Sequence, residues 1–504
     1  MNTNRSRLES TKQNKTFLRL GLLLSVPFVL VVLVLAFFTV VEIDQKVTLV
    51  LWTIGLGFFS VFVFLKTSGD VSLNRTLTLI ASYLVFAYPF KAILSQSELG
   101  DLQRRDFYIS GELFTKSLLP AVAYTSGAVI SLMLVYFLVR RLDMSRFERS
   151  FAPRMGRLFL FIGISLLVKF VAQHILIWGV PNQPPRNVVP LVTGAVVMYC
   201  KLGIFHLVAL AITLMFIYKT KMSDKVVLGS LIAGYLLLDF SVGSKYSLVY
   251  VVVAMVFSIA LLKNEINLGQ ARVVMVLVAC LAIISLYPVI HNYRFARKSN
   301  PRLDQFSLIQ KAIRLTTERS DTNIMVDSVL QVAKRINGFQ NHAAAVNFSA
   351  TLRPGWKELL SSAEASQSYT QAVTGIDHES NTFGITHCGM MTMMFRGNWL
   401  QVFVSGILLN LALTGLVVFS SYLITRVKAN WYAAGLSNGL FLVFAQFTGG
   451  NLGFSAKQYV TILFTIYMCN YFFVKKKIVV KRPIQMVNGI PGVSTPDTHQ
   501  SRGN

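Results

Sequence analysis

The chain has 504 residues, of which 54% are hydrophobic and 14% are charged, and its mean hydropathy is +0.56. Soluble domains carry roughly a quarter charged residues, so this composition excludes an ordinary soluble globular protein. A formal net charge of +26 would suggest nucleic-acid binding in a soluble chain. Because the cytoplasmic loops of membrane proteins are rich in Lys and Arg, we predict no nucleic-acid partner.

Apolar runs of about twenty residues recur along the chain, each long enough to cross a hydrocarbon core of roughly 30 Å. They predict an all-α polytopic membrane protein with about twelve transmembrane helices. The first run is too long for a signal-peptide core, so we expect it to be a retained span. The predicted spans lie at 20–41, 47–65, 76–95, 118–139, 158–180, 191–217, 226–242, 246–262, 271–290, 398–425, 431–449 and 458–474.

The distribution of Lys and Arg predicts the orientation of these spans. With the N-terminus inside, the inner segments hold 26 Lys and Arg and the short outer loops hold seven. This contrast places both termini in the cytoplasm. The predicted division is a cytoplasmic tail (1–19), nine spans (20–290), a large outer loop (291–397), three spans (398–474) and a second cytoplasmic tail (475–504). No internal repeat is found, which disfavours transporter folds built from two halves.

The outer loop is the only long polar segment, and it carries twelve Lys and Arg residues and four of the seven histidines. Long loops are exempt from the positive-inside rule, so these cations need another explanation. Apolar residues at helical spacing, such as Phe306, Ile309 and Ile313, predict a small helical subdomain lying over the bundle.

Two arginines directly follow the ninth predicted span. Arg294 and Arg297 are three residues apart and would point the same way on a continued helix. Guanidinium groups bind phosphate oxygens in a bidentate fork, so the pair is a candidate phosphate site, to which Arg302 adds a third cation. The alternative is that the arginines only anchor the span to lipid headgroups.

A second polar cluster precedes the tenth predicted span. It contains His378, Glu379 and His387. A histidine or carboxylate at a membrane surface can take a proton from a sugar hydroxyl as a general base. The alternative is a solvated polar loop. No metal-ligand spacing is present, so we predict no metal.

Charged residues inside the predicted spans form a third group of candidates. Lys169 and Lys201 fall near the predicted membrane midplane, and Asp239 falls in the outer half. Buried charges in membrane proteins usually face the bundle interior and carry function. One interpretation is a structural ion pair between Asp239 and a lysine, and the other is a cationic cavity beneath the outer loop.

The stretch 239–247 (DFSVGSKYS) and the loop that follows resemble the bacterial O-antigen polymerase (Wzy) and O-antigen ligase families. Those families often have a Ser-Arg or Gly-Ser-Arg step before a large late periplasmic loop, and Lys245 stands at the basic position here. Arg294 and Arg297 match the essential arginines of that loop. The stretch 378–381 (HESN) is similar to the His-Asn stretch of the ligases.

The resemblance covers roughly residues 226–411. It implies a GT-C-like fold in the bacterial inner membrane and metal-independent glycosyl transfer without a cofactor. The donor would be an undecaprenyl-diphosphate-linked oligosaccharide in the outer leaflet, and the partners would be membrane lipids and a chain-length regulator protein.

The same resemblance implies roles for the candidate residues. The diphosphate would be bound by Lys245, Arg294, Arg297 and Arg302. His378, Glu379 or His387 would deprotonate the acceptor hydroxyl. The alternatives are the ligase reaction onto lipid A core, a non-enzymatic transporter or flippase for the same lipid-linked sugar, and a membrane scaffold or sensor.

Overall fold

The computed structural model describes residues 43–66, 80–96, 109, 111–140, 149–151, 155–180, 185–216, 220–244, 247–255, 270–299, 305–318, 338–349, 355, 387–425 and 452–478, with single-residue gaps at 82, 249 and 253. In the first half of the chain the helices are α1 (Ile43–Lys66), α2 (Lys91–Gln96), α3 (Gly111–Arg140), α4 (Met155–Phe170), α5 (Val192–Met198), α6 (Ile204–Phe216) and α7 (Met222–Ser241). In the second half they are α8 (Gln270–Ser299), α9 (Gln305–Glu318), α10 (Phe339–Phe348), α11 (His387–Met394), α12 (Trp399–Thr425) and α13 (Leu452–Phe473).

Three π-helical turns interrupt or extend these helices, at Phe86–Phe90, Val171–Ile175 and Tyr199–Gly203. A short antiparallel ribbon accompanies the helices. Its strands are β1 (Arg149–Phe151) and β2 (Val474–Ile478), with Arg149 opposite Ile478. The ribbon joins the chain just before α4 to the chain just after α13.

Four described segments are long and apolar enough to cross a membrane. They are Gly111–Val135, Met155–Ile175, Val192–Met215 and Trp399–Leu416. The described part of the chain is therefore mostly helical and has helices that could span a membrane, which is consistent with the prediction from composition. The predicted runs 20–41 and 431–449 lie outside the described residues, so the total of twelve spans stays a prediction.

Helices α3 and α12 approach each other closely because glycines lie at their crossing. A Cβ added at Gly127 would lie 2.6 Å from the carbonyl oxygen of Phe403, and one added at Gly406 would lie 2.8 Å from the carbonyl oxygen of Tyr124. Small residues of this kind let membrane helices pack backbone against backbone. Ser131 of α3 adds a 2.7 Å hydrogen bond to a backbone carbonyl of α12.

Helix α9 confirms the helix predicted around residue 309, but of the predicted apolar face only Ile309 packs against the end of α8. Leu308 and Ala312 are buried against the end of α8, whereas Phe306 and Ile313 are exposed. The difference arises because α9 folds back along α8. It thereby supports the last turns of α8, which carry the two candidate arginines.

Helix α10 belongs to the predicted outer loop and lies inside the bundle core, not over it. All residues from Phe339 to Ala345 are buried. The ring of Phe339 packs 5.2 Å from the ring of Phe114 in α3. Three consecutive alanines follow His342, and their small side chains allow the helix to fit between its neighbours.

Candidate functional site

Three helix ends meet at one place, which we call the arginine junction and define as His174, Ser241, Gly243, Arg294 and Arg297. His174 lies in the π-helical turn after α4, Ser241 is the last residue of α7, and the arginines lie in the last turns of α8. The Ser241 carbonyl oxygen accepts a hydrogen bond of 3.2 Å from Arg297 Nη1. The junction therefore joins segments that are far apart in the sequence.

The end of α7 has the hydrogen bonds of a Schellman motif. The N–H of Gly243 donates to the Phe240 carbonyl oxygen, and the N–H of Ser244 donates to the Asp239 carbonyl oxygen, both at 2.8 Å. Gly243 has a φ of +73°, the left-handed conformation that this motif requires and that glycine adopts without strain. The glycine thus fixes the turn that presents the Ser241 carbonyl to α8.

The same glycine makes room for an arginine. A Cβ added at Gly243 would lie 2.4 Å from Arg294 Cγ, so the side chain of Arg294 runs directly over the turn. Arg294 and Arg297 are both partly exposed. Tyr293 of α8 donates a 3.1 Å hydrogen bond to the same Ser241 carbonyl oxygen. Both arginine side chains therefore reach the turn from one helix, as their spacing predicts.

His174 completes the junction from the side of α4. Its Nε2 lies 3.0 Å from Ser241 Oγ, and its ring stacks on Phe170 with the centroids 5.1 Å apart. The imidazole is partly exposed. It lies within range of an electrostatic interaction with the Arg297 guanidinium. In the sequence His174 belongs to the group of ionisable residues within the predicted spans, five residues after Lys169, and no motif assigns it a role of its own.

Beside the junction lies a buried ion pair. Lys169 Nζ is 2.9 Å from Asp239 Oδ1, 3.2 Å from the Cys200 carbonyl oxygen and 4.5 Å from the centroid of the Tyr235 ring. The sequence left open a structural ion pair or a cationic cavity, and the structure shows an ion pair between Lys169 and Asp239. Lys201 has an exposed side chain.

The structure describes no side chain for the remaining predicted site residues. Lys245, Arg302, His378 and Glu379 lie outside the described residues. For His387 only the backbone is described, as the first residue of α11. Their proposed roles stay predictions. Within the described part of the chain, no group of three His, Cys, Asp or Glu side chains that could hold a metal ion is found.

A second polar cluster surrounds His342 in α10. His342 Nδ1 lies 2.8 Å from Thr392 Oγ1, and the rings of Tyr88 and Tyr124 lie 5.7 and 5.5 Å from the imidazole. Burial lowers the pKa of His342 to about 3. Its Nε2 and the neighbouring Asn341 Nδ2 have no hydrogen-bond partner among the described residues. The run QNH between apolar residues was the available sequence signal for this cluster.

No family model matches the chain, and neither a curated protein nor a solved structure matches it. We therefore infer its function from the side chains of the arginine junction.

Proposed function

We propose that the chain is a membrane glycosyltransferase that polymerises undecaprenyl-diphosphate-linked oligosaccharide repeat units into O-antigen or a related surface polysaccharide. The observation that carries this proposal is the hydrogen bond between Arg297 and the Ser241 carbonyl oxygen. It brings together the two stretches on which the resemblance to O-antigen polymerases depends most, the turn after Asp239 and the arginines after the ninth predicted span. Contact between them is expected if they form one substrate site.

The positions of the three helix ends support an outward-facing site. The count of Lys and Arg predicts that the spans at 158–180, 226–242 and 271–290 all end on the outer side. Those are the spans whose ends carry His174, Ser241 and the two arginines. Their contact agrees with this topology, which was derived from charge alone. In the proposal, about twelve spans form a GT-C-like bundle in the inner membrane and the junction faces the periplasm.

The chemistry of the junction suits a diphosphate leaving group. A guanidinium has five N–H donors, and the bond to Ser241 uses one of those on Arg297. Donors on both arginines then bind phosphate oxygens, on which negative charge increases as the glycosidic bond breaks. Preorganised cations at that position stabilise the transition state. Lys245 and Arg302 would add to this binding, and no metal takes part.

The test replaces the chromosomal gene of the bacterial host by variants and separates its surface polysaccharide on a gel. We expect Arg294→Ala and Arg297→Ala to remove the ladder of long chains, because losing a charge-stabilising donor lowers the rate by about 100-fold or more. Arg297→Lys should rescue poorly, since an ammonium cannot form a bidentate fork. Arg314→Ala is the matched control. That arginine lies in α9 and pairs on the surface with Glu318 at 2.6 Å, so its loss should leave the ladder intact.

The outcomes separate this proposal from its alternatives. A polymerase deletion leaves single repeat units on lipid A core, a ligase deletion leaves none attached, and a flippase deletion strands the units on the cytoplasmic side. If both alanine variants insert in the membrane and make full-length polymer, the diphosphate site is wrong.

A further inference from the structure

We infer that His174 accepts the proton of the acceptor hydroxyl in this reaction, an inference that rests on the proposed function. It assigns a role to the one member of the junction with an imidazole, which no sequence motif indicated. His378, Glu379 and His387 were the sequence-based candidates for this role, and none of their side chains is described. His174 is described, partly exposed and in contact with the residue that Arg297 also contacts.

The hydrogen bonds of Ser241 determine which imidazole nitrogen can act. The Ser241 hydroxyl donates its single hydrogen to the Leu238 carbonyl oxygen, 2.7 Å away. Its contact of 3.0 Å with His174 Nε2 must therefore be a bond in which the imidazole N–H donates. This arrangement keeps the hydrogen on Nε2 and leaves the lone pair on Nδ1. Ser241 is thus a positioning residue that selects the tautomer in which Nδ1 is the base.

The stacking on Phe170 fixes the plane of the ring, and the helix ends fix its distance from the arginines. His174, Ser241 and Arg297 form one continuous chain of contacts, His174 through the Ser241 hydroxyl and Arg297 through the Ser241 carbonyl. A base and a leaving-group cation must both lie near the reacting carbon, and this chain of contacts holds them close together. Asp239 cannot replace His174, because its carboxylate is buried and engaged by Lys169.

In the proposed step, the acceptor hydroxyl transfers its proton to His174 Nδ1 while its oxygen forms a bond to the anomeric carbon of the donor glycan. The bond from that carbon to the diphosphate oxygen breaks, and its electron pair stays with the diphosphate. Arg294 and Arg297 bind the released undecaprenyl diphosphate. His174 then gives its proton to water. No atom changes its oxidation state, so no further reactant is needed.

The experiment uses the full chain purified into lipid nanodiscs and lipid-linked repeat units extracted from the deletion strain of the host. Elongation is measured between pH 5.5 and 8.5 for the wild type and for His174→Gln. Glutamine can still donate a hydrogen bond to Ser241 but cannot take up a proton. We expect the wild-type rate to fall on the acid side, because a protonated imidazole cannot accept the proton of the acceptor hydroxyl. The variant should be about 100-fold slower or more, and its residual rate should lack this acid-side fall.

Binding of undecaprenyl diphosphate without sugar provides the check on folding. His174→Gln should bind it as the wild type does, whereas Arg297→Ala should bind it at least about tenfold more weakly, since a charged hydrogen bond is lost. Ser241→Ala keeps the backbone carbonyl and removes only the hydroxyl, so we expect a rate loss of about tenfold with the acid-side fall retained. This second variant tests the assignment even if His174→Gln does not fold.

The outcomes distinguish this inference from the function on which it rests. If His174→Gln elongates within about threefold of the wild type with the same acid-side fall, His174 is not the base. If His174→Gln fails to fold, an unchanged rate in Ser241→Ala overturns the assignment. In either case an inactive Arg297→Ala would leave the polymerase proposal standing. If Arg297→Ala elongates normally, the polymerase site itself is wrong, whatever His174 does.

Discussion

Lys169 and Asp239 form an ion pair of 2.9 Å in which the side chains are only 1% and 5% exposed. Removing one partner of a buried pair leaves a charge without compensation, which costs more than the pair contributes. We therefore expect Lys169→Met to lower the free energy of unfolding by about 3–5 kcal/mol. Denaturant unfolding in detergent micelles measures this difference.

The double variant Lys169→Met with Asp239→Leu is the control for this prediction. It removes both charges and fills the space with apolar side chains, so it should be more stable than Lys169→Met alone. If Asp239→Leu instead lowers the free energy of unfolding by as much in the double variant as it does alone, the two residues are not energetically coupled.

Gly243 is the position at which a single methyl group should disturb the arginine junction. Alanine there would adopt a left-handed φ of +73° and place its Cβ 2.4 Å from Arg294 Cγ. The backbone strain costs about 1–3 kcal/mol, and Arg294 must move. We expect Gly243→Ala to weaken the binding of undecaprenyl diphosphate by about tenfold, because one charged hydrogen bond is lost. Titration of the purified chain in nanodiscs measures the affinity.

Gly229→Ala is the matched control in the same helix, α7. A Cβ at Gly229 would lie 3.7 Å from its nearest neighbour, an ordinary contact, so affinity should not change. Equal affinities for the two variants would mean that Arg294 does not contribute to the site.

The sequence predicted the bundle better than it predicted the contacts within it. The run at 47–65 corresponds to α1, and the run at 271–290 corresponds to α8, which continues to Ser299. Hydrophobic length alone identifies such helices. It cannot say that α8 continues through its polar end, because that extension depends on the packing of α9 against it. The hydrogen bond between Arg297 and Ser241 likewise joins residues 56 positions apart, which no local pattern encodes.

The two histidines give a clearer example of contacts that no local sequence pattern encodes. His174 and His342 each occur singly among residues that match no motif, and their roles depend on neighbours from other helices. Ser241 contacts His174 from α7, and Thr392 contacts His342 from α11. The sequence also left the partner of Asp239 open. Several lysines were possible, and the relative register of α4 and α7 selects Lys169.

The close crossing of α3 and α12 predicts that adding one methyl group at the contact lowers the stability of the protein. In Gly406→Ala the new Cβ would lie 2.8 Å from the Tyr124 carbonyl oxygen, so the backbones must separate. Overpacking of this kind costs about 1–3 kcal/mol. Gly415→Ala lies in the same helix, where nothing would come within 4 Å of the new Cβ, and it should be neutral or slightly stabilising. Unfolding of both variants in micelles makes the comparison, and equal stabilities would contradict the close crossing.

The burial of His342 predicts that the stability of the bundle depends on pH. Burial lowers the pKa of His342 in the folded chain to about 3, whereas the unfolded value is about 6.5. Between these values the unfolded chain binds a proton that the folded chain does not. Stability is therefore complete above pH 6.5 and falls as the pH decreases, by about 2 kcal/mol at pH 5 for this group. In His342→Gln the difference in unfolding free energy between pH 7 and pH 5 should shrink by that amount. An unchanged difference would show that His342 is protonated in the folded protein or is not buried.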